Sequence, residues 1–176
     1  KQLWGRLNVN AAMAMLYFKK GTKVQNLVHG LKYDGKTEIG ISLGKLLAKK
    51  LNESAFYADV DLIIPVPLHQ KKLRTRGYNQ SEYIATGLAE ELGIAVSTKH
   101  LLRDKSTESQ TKKARYTRYE NMQDVFSVIK AEELAEKHIL LVDDVVTTGA
   151  TLEACGNVLL NNGVKKLSIA AVAFAE

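Results

Sequence analysis

Two adjacent aspartates followed by small and hydroxylated residues form the segment of this sequence best suited to chemistry. Asp143 and Asp144 come directly after an apolar run, and residues 145–151 then supply three threonines and one glycine. Carboxylates accept hydrogen bonds from hydroxyl groups and bind metal ions, while backbone N–H groups of a glycine-containing loop and of a helix N-terminus surround phosphates. Residues 139–151 are therefore predicted to form a strand, a loop and a helix start that hold a phosphorylated ligand.

A second candidate is a cluster of cations that follows the two prolines of the chain. Four of the six residues 71–76 are basic, namely Lys71, Lys72, Arg74 and Arg76. Arginine forks onto phosphate oxygens, and cations stabilise the negative charge that develops on a phosphate leaving group. Solvated basic surfaces have the same composition, so the residue types leave both interpretations open.

A third candidate is the long polar segment of residues 97–121, which shows little apolar periodicity. A segment of this length without a pattern of its own is usually a functional lid or a loop. Tyr116 and Tyr119 lie among its cations, a combination that single-stranded nucleic acid binding also uses. A lid over an anion, a nucleic acid contact and a plain solvated loop remain as alternatives.

The elements that must position these residues alternate between strands and helices. Short apolar runs predict strands, and apolar spacings of three and four residues predict helices. Because the alternation continues from residue 61 to the end, we expect an α/β fold with a parallel sheet and right-handed crossovers. The predicted strands are residues 11–18, 61–66, 126–129, 137–142 and 166–174, and the predicted helices are residues 22–33, 39–51, 79–92 and 151–162, with a helical turn at 132–136.

Composition narrows the class of protein. The 176 residues are enough for one domain, and the net charge of +6 favours anionic partners. Cys155 is the only cysteine, which excludes an internal disulfide and a cysteine-based zinc site built from this chain alone. No apolar run is long enough to span a bilayer and the start shows no secretory signal pattern, so we expect no membrane insertion and a cytoplasmic location.

Several motifs together resemble a known family. Residues 142–151 look like the phosphoribosyl pyrophosphate (PRPP) signature of type I phosphoribosyltransferases. Two further motifs, with four polar residues downstream, are similar to the ComF/GntX group, which is associated with competence and DNA uptake in bacteria. These motifs are Pro65-Val66-Pro67-Leu68-His69 and Arg76-Gly77-Tyr78-Asn79-Gln80, followed by Gln110, Arg115, Arg118 and Asn121. The resemblance runs from about Leu27 to the end of the chain.

The resemblance implies a phosphoribosyltransferase-type central parallel β-sheet flanked by helices. It also implies one domain over residues 1–176, with a small N-terminal hood at about residues 1–50 and a PRPP-binding core at about residues 51–176.

The resemblance also assigns roles to residues at matching positions. Catalytic roles would belong to Asp143, Asp144 and Arg76, and the two aspartates would hold Mg²⁺ indirectly. PRPP would be bound by Asp143, Asp144, Val145, Val146, Thr147, Thr148, Gly149, Ala150 and Thr151. Pyrophosphate would be bound by Pro67, Leu68, Arg74 and Arg76, and a mobile loop would carry Arg103, Gln110, Arg115 and Arg118.

The activity that the resemblance implies is transfer of phosphoribose from PRPP to an unidentified nitrogenous acceptor, with release of pyrophosphate. Two departures from the family pattern matter. Purine-salvage members have an acid where Thr147 stands, which argues against purine acceptors. ComF-type proteins usually begin with a cysteine-rich zinc-binding segment, so a chain that starts at Lys1 without one is expected to lack its N-terminus. The alternative is a non-catalytic PRPP-binding or single-stranded-DNA-binding module of the DNA uptake machinery.

A different motif suggests a minor alternative, a P-loop ATPase. Gly30, Gly35, Lys36 and Thr37 satisfy the Walker A pattern. That motif needs a strand immediately before its first glycine. The residues before Gly30 follow helical spacing, so the pattern is expected to be a coincidence.

Overall fold

A computed structural model of the chain describes residues 5–103 and 125–175. The strands in these ranges are β1 (Ala11–Phe18), β2 (Leu62–Pro65), β3 (Leu101–Arg103), β4 (Phe126–Val128), β5 (His138–Val146) and β6 (Lys166–Ala175). The α-helices are α1 (Lys23–Tyr33), α2 (Thr37–Asn52), α3 (Gln70–Arg76), α4 (Gln80–Leu92) and α5 (Ala150–Asn161). Short 3₁₀ turns lie at Ala55–Tyr57 and Ala131–Glu133.

The main sheet is parallel and has the strand order β1-β6-β5-β2. Its central strands β5 and β6 are apolar over most of their length because helices cover both faces. On one face Leu140 packs with α2 and α4, and on the other Leu141 packs with α5. The expected α/β fold, with a central parallel sheet flanked by helices, is confirmed.

Helices α2 and α4 cross at a close approach that two glycines permit. A Cβ added at Gly87 would lie 2.0 Å from the carbonyl oxygen of Ile41, and one added at Gly44 would lie 2.1 Å from the carbonyl oxygen of Ile84. The two backbones therefore touch, and this contact fixes α4 against the sheet. Since α4 begins at the carboxyl edge of β2, its placement also positions the candidate site.

The amino edge of the sheet holds a buried polar network. The ring nitrogens of His138 lie 2.9 Å from Asp59 Oδ1 and 2.8 Å from Ser168 Oγ, and Asn10 donates to the same Ser168 oxygen at 3.1 Å. The order Asp-His-Ser is that of a hydrolase triad, but the Ser168 side chain is fully buried. Asp59 is exposed, but Ser168 and His138 are buried and partnered, so this network ties strands together rather than attacking a substrate.

Three elements differ from those expected from the sequence. Strand β5 does not end at residue 142, because its pairing with β6 continues to Val146. Residues 97–103 are not plain loop, because Leu101–Arg103 pairs with Phe126–Val128. The basic segment forms helix α3, in which the His69 side chain accepts from the Lys71 N–H and Gly77 ends the helix in the left-handed conformation. None of the α3 residues is buried, so the sequence shows no apolar periodicity that predicts this helix.

The N-terminal region forms one strand of the sheet and also reaches the carboxyl ends of the strands. Strand β1 pairs with β6 inside the sheet, while the end of α1 reaches the carboxyl edge. The division into a hood and a core stays a prediction. None of the helices within residues 5–103 and 125–175 is long and apolar enough to cross a bilayer.

Candidate functional site

The acidic pair and the turn after it lie at the carboxyl edge of the parallel sheet, where ligands bind in open α/β folds. Thr147 and Thr148 are exposed and lead into Gly149, which caps α5 in the left-handed conformation with φ 78°. No side chain caps the α5 N-terminus from this position. The Ala150 N–H donates to the Thr148 hydroxyl at 3.4 Å, and the remaining N–H groups of the first turn of α5 can be donors to a phosphate.

The alternation of faces along β5 is interrupted at the two aspartates. Leu141 and Val142 belong to opposite cores, but Val145 packs with the core of Val142 and Val146 with that of Leu141, the reverse of strict alternation. The Asp144 N–H donates to Asp143 Oδ1 and the Val145 N–H to Asp144 Oδ1, both at 2.8 Å. The side chains of Val145 and Val146 pack into the two hydrophobic cores. A ligand is therefore expected to contact these residues through their backbone.

Asp144 is the more enclosed of the two carboxylates. It is 4% exposed, and its Oδ2 lies 2.7 Å from Nζ of Lys32 near the end of α1. A buried carboxylate needs such a partner, because removing one member of a buried pair leaves an uncompensated charge. Lys32 was not predicted as a site residue. No local pattern could have shown a contact across 112 residues.

Asp143 is partly buried and is held from α4. Ser81 donates from its hydroxyl to Asp143 Oδ1 at 3.1 Å. Ser81 is placed by Asn79, whose Oδ1 accepts from the Ser81 N–H at 3.1 Å and whose Nδ2 donates to the Val66 carbonyl at 3.0 Å. Asn79 is thus the side-chain N-cap of α4. Ser81 was missed, although it stands in the first turn of a predicted helix.

Loss of hydration and the charge of Asp144 raise the pKa of Asp143 to about 7. A carboxyl whose pKa is raised in the folded state lowers stability as the pH rises from its ordinary value near 4 towards 7.

Asp143→Asn keeps an acceptor for Ser81 but cannot ionise. We expect its melting temperature to exceed that of the wild type at pH 8 and the difference to shrink at pH 5. Thermal melts across this range check it, and a difference that grows as the pH falls would contradict it.

The two aspartates fit a divalent cation that takes most of its oxygens from a ligand. Over residues 5–103 and 125–175, the structure brings together no group of three side chains able to hold a metal ion. Asp144 Oδ2 is buried, and the Lys32 ammonium at 2.7 Å is its charged partner among the described residues. Mg²⁺ prefers one or two carboxylates together with phosphate or hydroxyl oxygens. Asp143 and Asp144 would be the protein's share of such a site.

Of the residues expected to hold pyrophosphate, two lie before helix α3 and two lie within it. Pro67 and Leu68 line a hollow of about 480 Å³ together with Arg103. Arg76 lines a different hollow of about 550 Å³, and Arg74 lines neither. Neither of these two hollows is lined by all four residues. Their assignment to pyrophosphate stays a prediction.

The expected mobile loop is described only at its start. Arg103 ends β3, with its guanidinium 5.2 Å from the centre of the Phe126 ring. Gln110, Arg115 and Arg118 lie outside the described residues.

The Walker A pattern does not form a phosphate loop. Gly30 is inside α1 and Thr37 begins α2, so a helix rather than a strand comes before the motif. This geometry removes the basis for the P-loop ATPase alternative.

Comparison with known proteins identifies the family. A family model described as phosphoribosyl transferase domain matches residues 75–176, more than half of the chain. The chain belongs to the phosphoribosyltransferase family. The matched region contains α4, β5, the acidic pair and α5, all of which shape the candidate site.

Relatives of this phosphoribosyltransferase domain include proteins named for DNA utilization and competence, in line with the resemblance to the ComF/GntX group. The DNA utilization protein YhgH of Salmonella typhimurium is 32% identical over 147 residues, covering 81% of this chain and 63% of that protein. Competence protein F of Haemophilus influenzae is 29% identical over 147 residues, covering 81% and 64%. The chain thus spans less than two thirds of the length of these relatives.

Among solved structures, the glutamine PRPP amidotransferase of B. subtilis, complexed with ADP and GMP, superimposes with a TM-score of 0.53. The two chains are 21% identical, and the match covers 75% of this chain and 25% of the other. At this identity the likeness concerns the fold alone.

Proposed function

We propose that the protein binds PRPP and transfers its phosphoribose to a nitrogenous acceptor, with release of pyrophosphate. One observation carries the proposal. A pair of aspartates in the central strand β5 is followed, after Val145 and Val146, by a Thr-Thr-Gly turn with two exposed threonines and by the N-terminus of α5. Together they offer acceptors for sugar hydroxyls and donors for a sugar phosphate within one continuous segment.

In this proposal the side chains orient the ribose rather than attack it. Asp143 and Asp144 accept the ribose 2′- and 3′-hydroxyls, and the backbone of residues 147–151 holds the 5′-phosphate. Positive charge builds on the ribose and negative charge on the leaving group, so fixed charges near both stabilise the transition state. Bound Mg²⁺ would supply further neutralisation of the phosphates. Lys32 holds the Asp144 carboxylate in place through their 2.7 Å pair.

Thr147 limits the range of acceptors that fit the proposal. It is exposed and follows the acidic pair closely in the sequence. A threonine hydroxyl is not a base at neutral pH, whereas the family resemblance puts an acid at this position in purine-salvage members. We therefore propose an acceptor that needs no proton removal by residue 147.

Calorimetry with PRPP and Mg²⁺, followed by a pyrophosphate-release assay with a panel of nitrogenous acceptors, tests the proposal. We expect saturable PRPP binding, and pyrophosphate release that needs both PRPP and an acceptor. Absence of PRPP binding at millimolar ligand would contradict it.

A second candidate function is a binding module for PRPP or single-stranded DNA that does not turn over. The names of the relatives, DNA utilization protein and competence protein, favour a link with DNA. The same assay separates the candidates, because such a module binds PRPP or DNA and releases no pyrophosphate with any acceptor.

A further inference from the structure

A basic, aromatic hollow of about 550 Å³ lies between the end of α1 and helix α3. Its lining residues are Lys32, Tyr33, Gly35, Lys71, Lys72, Thr75, Arg76 and Tyr78. Four of them are cations, two are tyrosines and none is acidic. We call this feature the α1–α3 hollow.

Lys71 and Lys72 of the α1–α3 hollow differ from six other lysines in the described part of the chain. Lys45, Lys50, Lys99, Lys130, Lys165 and Lys166 each lie within 4 Å of a carboxylate. Neither Lys71 nor Lys72 forms such a pair with any described residue, and the guanidinium of Arg76 bonds to the neutral side chain of Gln80. Lys32 is paired with Asp144, but no described carboxylate neutralises Lys71, Lys72 or Arg76, and their positive charge is available to an external anion.

Tyr33 provides an aromatic surface among these cations. It is 68% exposed, and the Arg76 guanidinium lies 5.4 Å from the centre of its ring. The ring of His29 contacts it as well, with centroids 4.9 Å apart. Stacking on an exposed, laterally held aromatic ring is how proteins bind nucleic acid bases without reading their edges.

The hollow adjoins the acidic pair through Lys32. This residue lines the hollow and places its Nζ 2.7 Å from Asp144 Oδ2. The two sides of the hollow are joined by the Tyr78 hydroxyl, which lies in the turn between α3 and α4 and donates to the carbonyl of Leu31 in α1. A ligand in the hollow would therefore lie beside the site proposed for the ribose.

We propose that the α1–α3 hollow binds a nucleotide unit, with its base stacked on Tyr33 and its phosphate held by Lys71, Lys72 and Arg76. As the acceptor site of a transferase, this assignment rests on the proposed function. As a nucleotide site it stands on its own, because the cations and the ring are present whether or not PRPP is turned over. A pyrophosphate site would use the cations and leave Tyr33 without a role.

The test measures nucleotide binding in the absence of PRPP. Wild-type protein is titrated with thymidine 5′-monophosphate, with ribose 5-phosphate as the ligand without a base, and with a short 5′-phosphorylated oligothymidylate. The variants are Tyr33→Leu and the double change Lys71→Gln with Lys72→Gln. Their controls are Phe56→Leu, an aromatic residue 62% exposed near the amino edge, and Lys49→Gln with Lys165→Gln. PRPP binding is measured for every variant.

We expect thymidylate to bind more tightly than ribose 5-phosphate. Tyr33→Leu should weaken thymidylate binding roughly ten-fold or more, the range measured for loss of one stacked base. The double lysine variant should weaken all three ligands and reduce the salt dependence of binding. Both control variants should bind as the wild type does, and Tyr33→Leu should retain PRPP binding.

The oligothymidylate distinguishes two sources of the same nucleotide chemistry. Equal affinities for the monomer and the strand indicate a free nucleotide. A tighter strand with a steeper salt dependence indicates single-stranded nucleic acid. Either result supports a nucleotide site in the hollow.

Three results would overturn the assignment: no thymidylate binding by the wild type, equal loss in Tyr33→Leu and Phe56→Leu, or equal loss of PRPP and thymidylate in Tyr33→Leu. The last would make the hollow part of the PRPP site. If thymidylate binding depends on Tyr33 while PRPP does not bind the wild type, the nucleotide site stands and the proposed transfer reaction fails.

Discussion

Asp144→Asn should weaken PRPP binding about 100-fold without unfolding the protein. A hydrogen bond to a charged group contributes about 1.5–3 kcal/mol, and the upper part of this range corresponds to about 100-fold in affinity. Loss of the Asp144 charge is expected to remove this contribution to PRPP binding. Asparagine has nearly the same shape and still accepts from the Val145 N–H through its side-chain oxygen. The substitution also leaves the Lys32 ammonium without its only counter-charge among the described residues. Calorimetry with PRPP and Mg²⁺ measures the effect.

The chain offers a matched control at the opposite edge of the sheet. Asp59 is also an aspartate paired with a lysine, with Lys166 Nζ 2.8 Å from its Oδ2. Asp59→Asn should bind PRPP as the wild type does. If Asp59→Asn and Asp144→Asn lose PRPP binding equally, the loss reflects general destabilisation. If Asp144→Asn binds as the wild type does, the carboxylate does not contact the ribose.

Gly87→Ala should lower stability by about 3 kcal/mol or more, a melting temperature roughly 6–12 °C below that of the wild type. The new Cβ would lie 2.0 Å from the Ile41 carbonyl oxygen and 2.8 Å from its carbon, so α2 and α4 must separate. Separation would open the packing around Leu47 and Leu88, which are fully buried. Thermal and urea unfolding measure the change.

A helical glycine elsewhere serves as the control for Gly87. At Gly30 an added Cβ would meet side-chain atoms alone, the nearest being the tip of Ile39 at 3.2 Å, which can move. Alanine is also the better helix former by about 1 kcal/mol. Gly30→Ala should therefore be neutral or stabilising. A similar loss of stability in the two variants would mean that the α2–α4 crossing is not the cause.

Local sequence patterns were enough for most of the fold and for the position of the acidic pair. The buried strand β5 is a run of apolar residues, and α4 begins at an asparagine whose side chain caps the helix and ends at a glycine. Each of these signals lies within a few residues of the structure that it predicts. The alternation of such segments then fixed the parallel sheet.

Features that depend on distant contacts could not be predicted in this way. The Lys32 pair with Asp144 joins the first helix to the fifth strand, and neither neighbourhood points to the other. Strand β5 continues past its two aspartates because β6 remains alongside, although the acids suggest an end. Pro67 lies before helix α3 and Arg76 is its last residue. The two residues are close in sequence and were expected in one site, but they line different hollows.

The most direct test asks whether the backbone of the turn binds the sugar phosphate. Protein labelled with ¹⁵N is titrated with PRPP and Mg²⁺ while the amide resonances are followed. We expect the largest saturable shifts at the amides of Gly149, Ala150 and Thr151, and no such shifts in Asp144→Asn at the same ligand concentration. Saturable shifts confined to other parts of the protein, or none at all, would show that this turn does not hold the ligand.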